Sequence, residues 1–168
     1  MNSKPSKSEK KREYLALQAL GEQLIGLSRE QLDSIALDDR LREAVLVAQS
    51  IRSHGALRRQ KQLIGKLMRS VDAAPIEDAL ASLGRNDHEA KRIFRTAEEW
   101  RDRLVRNPDT ALAEFVEWSG ANDPAVSECV RDLGAAGDDR ARKTARRRLF
   151  RAIHSQIERK VQNEASSS

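Results

Sequence analysis

An all-α fold is what the sequence predicts, and three observations predict it. The 168-residue chain is rich in Leu, Ala, Arg and Glu, holds 8 Gly and 4 Pro and is 4% aromatic, a composition that favours helix over strand. Apolar residues recur at intervals of three and four along most of the chain. Strand-like alternation of any length is absent. The length suits one domain or two small ones, each with a real core.

Taken in order, Leu17, Leu20, Leu24 and Leu27 form the apolar face of a helix from about Ser8 to Leu27. The same stretch, KKREYLALQALGEQLIGL, has the basic-then-apolar order of a secretory signal, but Gln18, Glu22 and Gln23 interrupt its apolar run. No apolar run approaches the roughly 20 residues that span a bilayer, so a cytoplasmic protein without membrane contact is expected. The single cysteine, Cys129, has no internal disulfide partner and fits a reducing compartment.

Ser28 followed by Gln31 reads as the capping box of a short helix through Ile35. Asp38 or Asp39 then caps a long helix through about Val71, roughly 50 Å if unbroken. Its apolar stripe comes in two parts, Leu41, Val45, Ala48 and Ile51, then Leu57, Ile64, Leu67 and Val71. Arg52-Ser53-His54-Gly55 separates them, so the two ends are expected to pack into different helical clusters, with a bridging middle that bends. Pro75 suits the first turn of a further helix closed by Gly84. Asn86 or Asp87 caps the next, bearing Ile93, Phe94, Ala97, Trp100 and Leu104. NPD at 107–109 and NDP at 122–124 each start another. The segment 134–139 links to a last helix, 139–162, with Leu149, Ile153 and Ile157 buried. The expected organisation is a disordered start (1–7), N-terminal helices including the long connecting helix (8–71), a C-terminal helical bundle (72–162) and a disordered tail (163–168).

The net charge of +5 is unevenly spread. Residues 44–71 carry +6 and residues 140–157 carry +7, both without an acid, while residues 72–139 carry −8. In HGALRRQKQLIGKLMRS, residues 54–70, helical cations have no carboxylate four residues away to relieve them. In RARKTARRRLFR, residues 140–151, Arg140, Lys143, Arg147 and Arg151 share one helical face. Such a stripe can track a phosphate backbone, where each neutralised phosphate releases counterions, and guanidinium forks suit phosphate better than ammonium does. KSEKKR at 7–12 reads as a solvated helix start.

Enzyme chemistry finds little support. His54, His88 and His154 lack metal-ligand spacing, so neither metal nor other cofactor is expected. Cys129 reads as a small buried hydrophobe beside Val126 and Val130, and the Gly-Lys of residues 65–66 is not a phosphate loop. No catalytic residue or small-molecule substrate is assigned. Phe94, Trp100, Phe115, Trp118 and Phe150 are needed mainly for cores, which leaves Tyr14, and in part Trp118 or Phe150, as base platforms. Recognition of folded RNA through shape and backbone fits better than sequence readout.

DDRLREAVLVAQSIRSHGALRRQKQLIGKLMR, residues 38–69, resembles the DarP (YjgA) family of bacterial dual-action ribosomal maturation proteins. The likeness runs from about Ser6 to Ile157. It is clearest at Leu41, Arg42, Ala44, Ala48 and Gln49, then at Arg58-Arg59-Gln60, at Gln62-Leu63-Ile64-Gly65-Lys66 and at Arg69. WRDRLV (100–105) and RRRLFRAI (146–153) match more loosely. The resemblance implies a helical fold of two three-helix clusters joined by a long helix. It also implies a cytoplasmic, non-enzymatic factor that binds ribosomal RNA of late large-subunit precursors, at the surface that later faces the small subunit, and helps the peptidyl transferase centre mature. Members often carry an acidic N-terminal extension, whereas this sequence begins close to the basic KSEKKR.

The expected partner is therefore 23S ribosomal RNA in a large-subunit (50S) precursor, met by a monomer. The expected RNA-binding residues are Arg52, Arg58, Arg59, Gln60, Lys61, Gln62, Lys66 and Arg69 in the first island. Arg140, Lys143, Arg146, Arg147, Arg148 and Arg151 form the second. Gln60 and Gln62 are either hydrogen-bonding groups for bases and riboses or ordinary helix-surface residues. The alternative function is a helical adaptor whose basic faces dock an acidic protein.

Overall fold

The structure, a computed structural model, describes residues 6–167. Among them are eight helices and no strand: α1 (Lys7–Ile25), α2 (Arg29–Asp33), α3 (Asp39–Ser50), α4 (His54–Met68), α5 (Ala74–Arg106), α6 (Pro108–Ser119), α7 (Pro124–Ala135) and α8 (Asp139–Ser166). The fold is all-α. Two compact units divide between Arg85 and Asn86, not after residue 71.

In the first unit, side chains start the helices. Ser6 and Glu9 form a reciprocal capping box for α1, and Ser28 and Gln31 do the same for α2. Asp38 accepts from the backbone N–H groups of Arg40 and Leu41 and opens α3, satisfying donors that the first turn leaves free. The core joins Leu20 and Leu24 of α1, Leu32 of α2, Leu41, Val45 and Ala48 of α3, Ile64 and Met68 of α4, and Ile76 of α5. Each such aliphatic side chain contributes about 1.5–3 kcal/mol when fully buried. α1 and α4 meet through glycines. A Cβ on Gly21 would lie 2.6 Å from Ile64 Cγ2, and one on Gly65 would lie 3.3 Å from Gln18 Cβ. The Gly65 of the family-like motif is therefore a packing residue.

The expected long helix through Val71 is two helices. Ile51 (φ −77°, ψ 126°) and Ser53 (φ −81°, ψ 124°) are extended, and the chain breaks there, at the start of the expected bridging stretch. A continuous rod would keep its two apolar stripes apart. Breaking it brings α3 beside α4, as the bond from Gln60 Nε2 to the Ala44 carbonyl (2.9 Å) records, and both stripes enter one core. The long helix lies later, in α5, which runs 33 residues straight through Gly84, Asn86 and Asp87. A single exposed glycine costs only about 1 kcal/mol in a helix, and Asp87–Lys91 (2.6 Å) supports the solvated stretch that follows. The first turns of α5 pack Ile76, Leu80 and Leu83 in one unit, and its last turns pack Ile93, Ala97, Trp100 and Leu104 in the other.

In the second unit, those α5 residues meet Ala111 and Phe115 of α6, Val126 and Cys129 of α7, and Leu149, Ile153 and Ile157 of α8. Four helices thus share this core, where three were expected. Pro108 opens α6, and Gly120 closes it at φ 73°, a left-handed value that glycine adopts without strain. Asp123 and Asp138 cap α7 and α8. Buried Gln156 donates to Ser119 Oγ (2.7 Å) and to the Ala121 carbonyl (2.6 Å), pinning α8 to the end of α6. α8 extends to Ser166, so the expected disordered tail is helical there. An i,i+4 pair between Lys160 and Glu164 (2.6 Å) supports that last stretch. At the other end, Ser6 and Lys7 belong to the start of α1 rather than to a disordered segment. The remaining residues of the two expected disordered ends, 1–5 and 168, lie outside the described residues.

Candidate nucleic-acid interface

The geometry of α4 sorts its polar residues. At 100° per residue, Arg58, Arg59, Gln62, Lys66 and Arg69 fall within about 100° of circumference, and all five are exposed. Leu57, Ile64 and Met68 occupy the opposite side, in or against the core. Arg58, Arg59 and Lys66 make no ion pair among the described residues, and Arg52 stands exposed in the break before the helix. Arg69 lies over the Tyr14 ring, its Cζ 4.3 Å from the centroid.

Two of the expected contacts bond within the fold. Lys61 Nζ is 2.8 Å from Glu22 Oε2 on α1. The Lys61 hydrogen bond, then that of Gln18, holds the Glu22 carboxyl below its ordinary range. Gln60 spends its amide on the Ala44 carbonyl. Two further residues of the family-like segment also act inside the fold. Arg42 bonds Asp33 (2.6 Å) and the Ile35 carbonyl (3.1 Å), while Gln49 bonds the Ile25 and Leu27 carbonyls at the end of α1.

On α8, Lys143, Arg146, Arg147 and Arg151 line an open groove of about 670 Å³ against α5. Its other walls are Phe94, Arg101, Asp102 and Phe150. The four cations make no ion pair among the described residues. Arg140 does not join them. It sits in the first turn beside Ala135 and Ala136 at the end of α7, on a separate concavity shared with Thr144 and Arg148. Lys143, Arg147 and Arg151 of the expected stripe thus line this groove together with Arg146, while Arg140 lines the neighbouring concavity. Arg148 pairs with Asp132 at 2.9 Å, and Thr144 donates its hydroxyl to the Arg140 carbonyl.

Phe94 escaped the sequence reading, which placed it in the core. It is 49% exposed, with its ring edge-on to Phe150 at 5.1 Å between centroids. The signal was available: Ile93, Ala97, Trp100 and Leu104 mark the buried face of α5, and Phe94 and Arg101 lie together about 90° away from it.

The other candidate chemistry stays quiet. Cys129 is buried, and desolvation raises its thiol pKa, the opposite of an activated nucleophile. Among the described residues, no three metal-ligating side chains cluster, and no helix is long and apolar enough to cross a membrane.

Comparison with known proteins gives a consistent result. The family model described as dual-action ribosomal maturation protein DarP matches residues 3–154. A relative of that name from Idiomarina loihiensis is 50% identical over 113 residues, covering 67% of this chain and 66% of the relative. One from Nitrosospira multiformis is 48% identical over 114 residues, covering 67% and 63%. One from Thiobacillus denitrificans is 40% identical over 153 residues, covering 89% and 85%. The chain thus spans just under two thirds of the length of the first two relatives.

Proposed function

The chain belongs to the DarP family of dual-action ribosomal maturation proteins, and from that premise we propose that it is a non-enzymatic assembly factor that binds ribosomal RNA. Its ligand is 23S RNA in late precursors of the large (50S) subunit, and its effect is to aid maturation of the peptidyl transferase centre. It works in the cytoplasm, as a monomer, without cofactor or small-molecule substrate. The name the relatives share supports the ribosomal role. The observation that carries the binding mode is the α4 face, where Arg58, Arg59 and Lys66 stand exposed and free of carboxylates.

Cations so placed repel one another, and a polyanion relieves that repulsion while releasing its own counterions. On α8, Lys143, Arg146, Arg147 and Arg151 offer a second phosphate grip. Arg52, Gln62, Arg69 and Arg140 complete the contacts, while Gln60, Lys61 and Arg148 are held by their own fold. The factor acts by holding immature RNA in a permitted arrangement, with no bond made or broken.

Reversing Arg58, Arg59 and Lys66 together to Glu tests this reading. The triple variant is expected to keep its helicity and to lose co-sedimentation with large-subunit precursors. RNase treatment is expected to abolish co-sedimentation of the unaltered chain. A variant that still co-migrates removes α4 as the grip, and association that survives RNase assigns the basic faces to an acidic protein.

A further inference from the structure

We infer that the groove between α5 and α8 takes an unpaired RNA nucleotide, with its base against Phe94 and its flanking phosphates among the cations of α8. The inference rests on the RNA-binding reading above and adds the form of RNA that this groove selects.

Phe94 forgoes the burial that its size would reward, leaving about half its surface to solvent. It is nevertheless held: Phe150 packs edge-on to it at 5.1 Å, and the His154 ring is 5.7 Å from that of Phe150. A half-exposed ring held by neighbouring rings and lining an open groove can serve as a stacking platform. Lys143, Arg146, Arg147 and Arg151 line the same groove. The one carboxylate on its wall, Asp102, is bonded by Arg101 at 2.9 Å, so the cations face no competing acid there. A volume of about 670 Å³ lies within the range of small-ligand sites.

Each part selects a different portion of the ligand. The cations select phosphate, whether the RNA is paired or not. The open aromatic face selects a base whose own face is free, which a base inside a duplex does not offer. An acidic peptide would satisfy the cations and leave Phe94 without a planar partner. An unpaired nucleotide in a loop, bulge or strand satisfies both.

The experiment uses the full chain with two probes: an RNA hairpin with an oligoadenylate loop, and a fully paired duplex of the same stem sequence. Phe94→Ala is expected to weaken hairpin binding about 5- to 150-fold, the range found when a stacked base loses its aromatic partner. Duplex affinity is expected to move by less than about twofold, and the salt dependence of hairpin binding to stay unchanged, because no phosphate contact is lost. Phe94→Trp is expected to restore hairpin binding, and thermal unfolding of both variants checks that the fold survives. If the chain binds both RNAs and Phe94→Ala leaves the hairpin untouched, this inference falls while the RNA-binding reading stands. If the chain binds neither RNA, both fall. If polyglutamate displaces the hairpin as readily as unlabelled hairpin does, the groove belongs to an acidic protein and the inference is overturned.

Discussion

The exposed face of α4 and the groove wall of α8 carry similar runs of free cations, yet they are built on different supports. α4 rests on α1 at close range, through Gly21 and Gly65, and its basic face has Leu63 at one edge and, at its end, the Tyr14 ring covered by Arg69. The α8 cations instead border an aromatic pair, Phe94 and Phe150, on a concave surface. Charge alone would make the two regions equivalent. Their neighbours distinguish them: an exposed cationic helix face whose nearest ring is already covered by Arg69 suits a phosphate backbone, and a cationic groove lined by a half-exposed ring suits a nucleotide.

The comparison also separates residues that hold a surface from residues that use it. The largest expected effect on stability lies on the inner side of α8, where Leu149→Ala should cost about 2–5 kcal/mol by leaving a cavity. Arg147→Ala on the outer side should change stability by less than about 0.5 kcal/mol. Chemical denaturation of the two variants measures both, and equal effects would erase the distinction. Next comes the α1–α4 contact. Gly21→Ala should destabilise by about 1–3 kcal/mol through overpacking against Ile64, even though alanine is the better helix former. A stabilised Gly21→Ala variant in a thermal melt would show that the two helices do not need their close approach.

A smaller effect divides the two glutamines of α4. Gln60→Ala should lose about 0.5–1.5 kcal/mol with its bond to Ala44 and leave RNA affinity within about twofold, whereas Gln62→Ala should leave stability unchanged. Paired unfolding and binding titrations read this directly. The smallest is electrostatic. The Glu22 carboxyl titrates below its ordinary value of 4.5 because Lys61 bonds it. Its contribution is present above that value and is lost as pH falls through the lowered one. Lys61→Met should shrink this acid-side loss to the part that the Gln18 bond sustains, a difference below about 1 kcal/mol for so exposed a pair, measured by unfolding at pH values on either side of 4.5.

Much of the fold was legible because helix starts are local. Ser28 with Gln31 caps α2 as expected, Asp38 is the one of the two expected aspartates that caps α3, and the NPD and NDP segments start α6 and α7. The long helix was misplaced because its limits are not local. Ile51-Arg52-Ser53 contains nothing that forbids a helix, and the chain breaks there so that two stripes can share a core. Gly84 looked like a stop, yet α5 runs through it, since one exposed glycine costs a helix only about 1 kcal/mol. The α4 site was legible as cations without nearby acids. Its exceptions were not, since the partners of Gln60 and Lys61 lie 16 and 39 residues away. Within the family-like motif, Ile64, Gly65 and Gln60 face inward and Arg58, Arg59 and Lys66 face out, so one short run of sequence both packs the unit and leaves three cations at its surface.

The most direct measurement is the salt dependence of affinity for a large-subunit precursor RNA, compared between the unaltered chain and the Arg58→Glu, Arg59→Glu, Lys66→Glu triple variant. For about five to eight phosphate contacts, affinity should fall by a decade or more for each twofold rise in salt, and the triple variant should lose about three from the logarithmic slope. An identical slope in the two proteins would contradict the role assigned to α4.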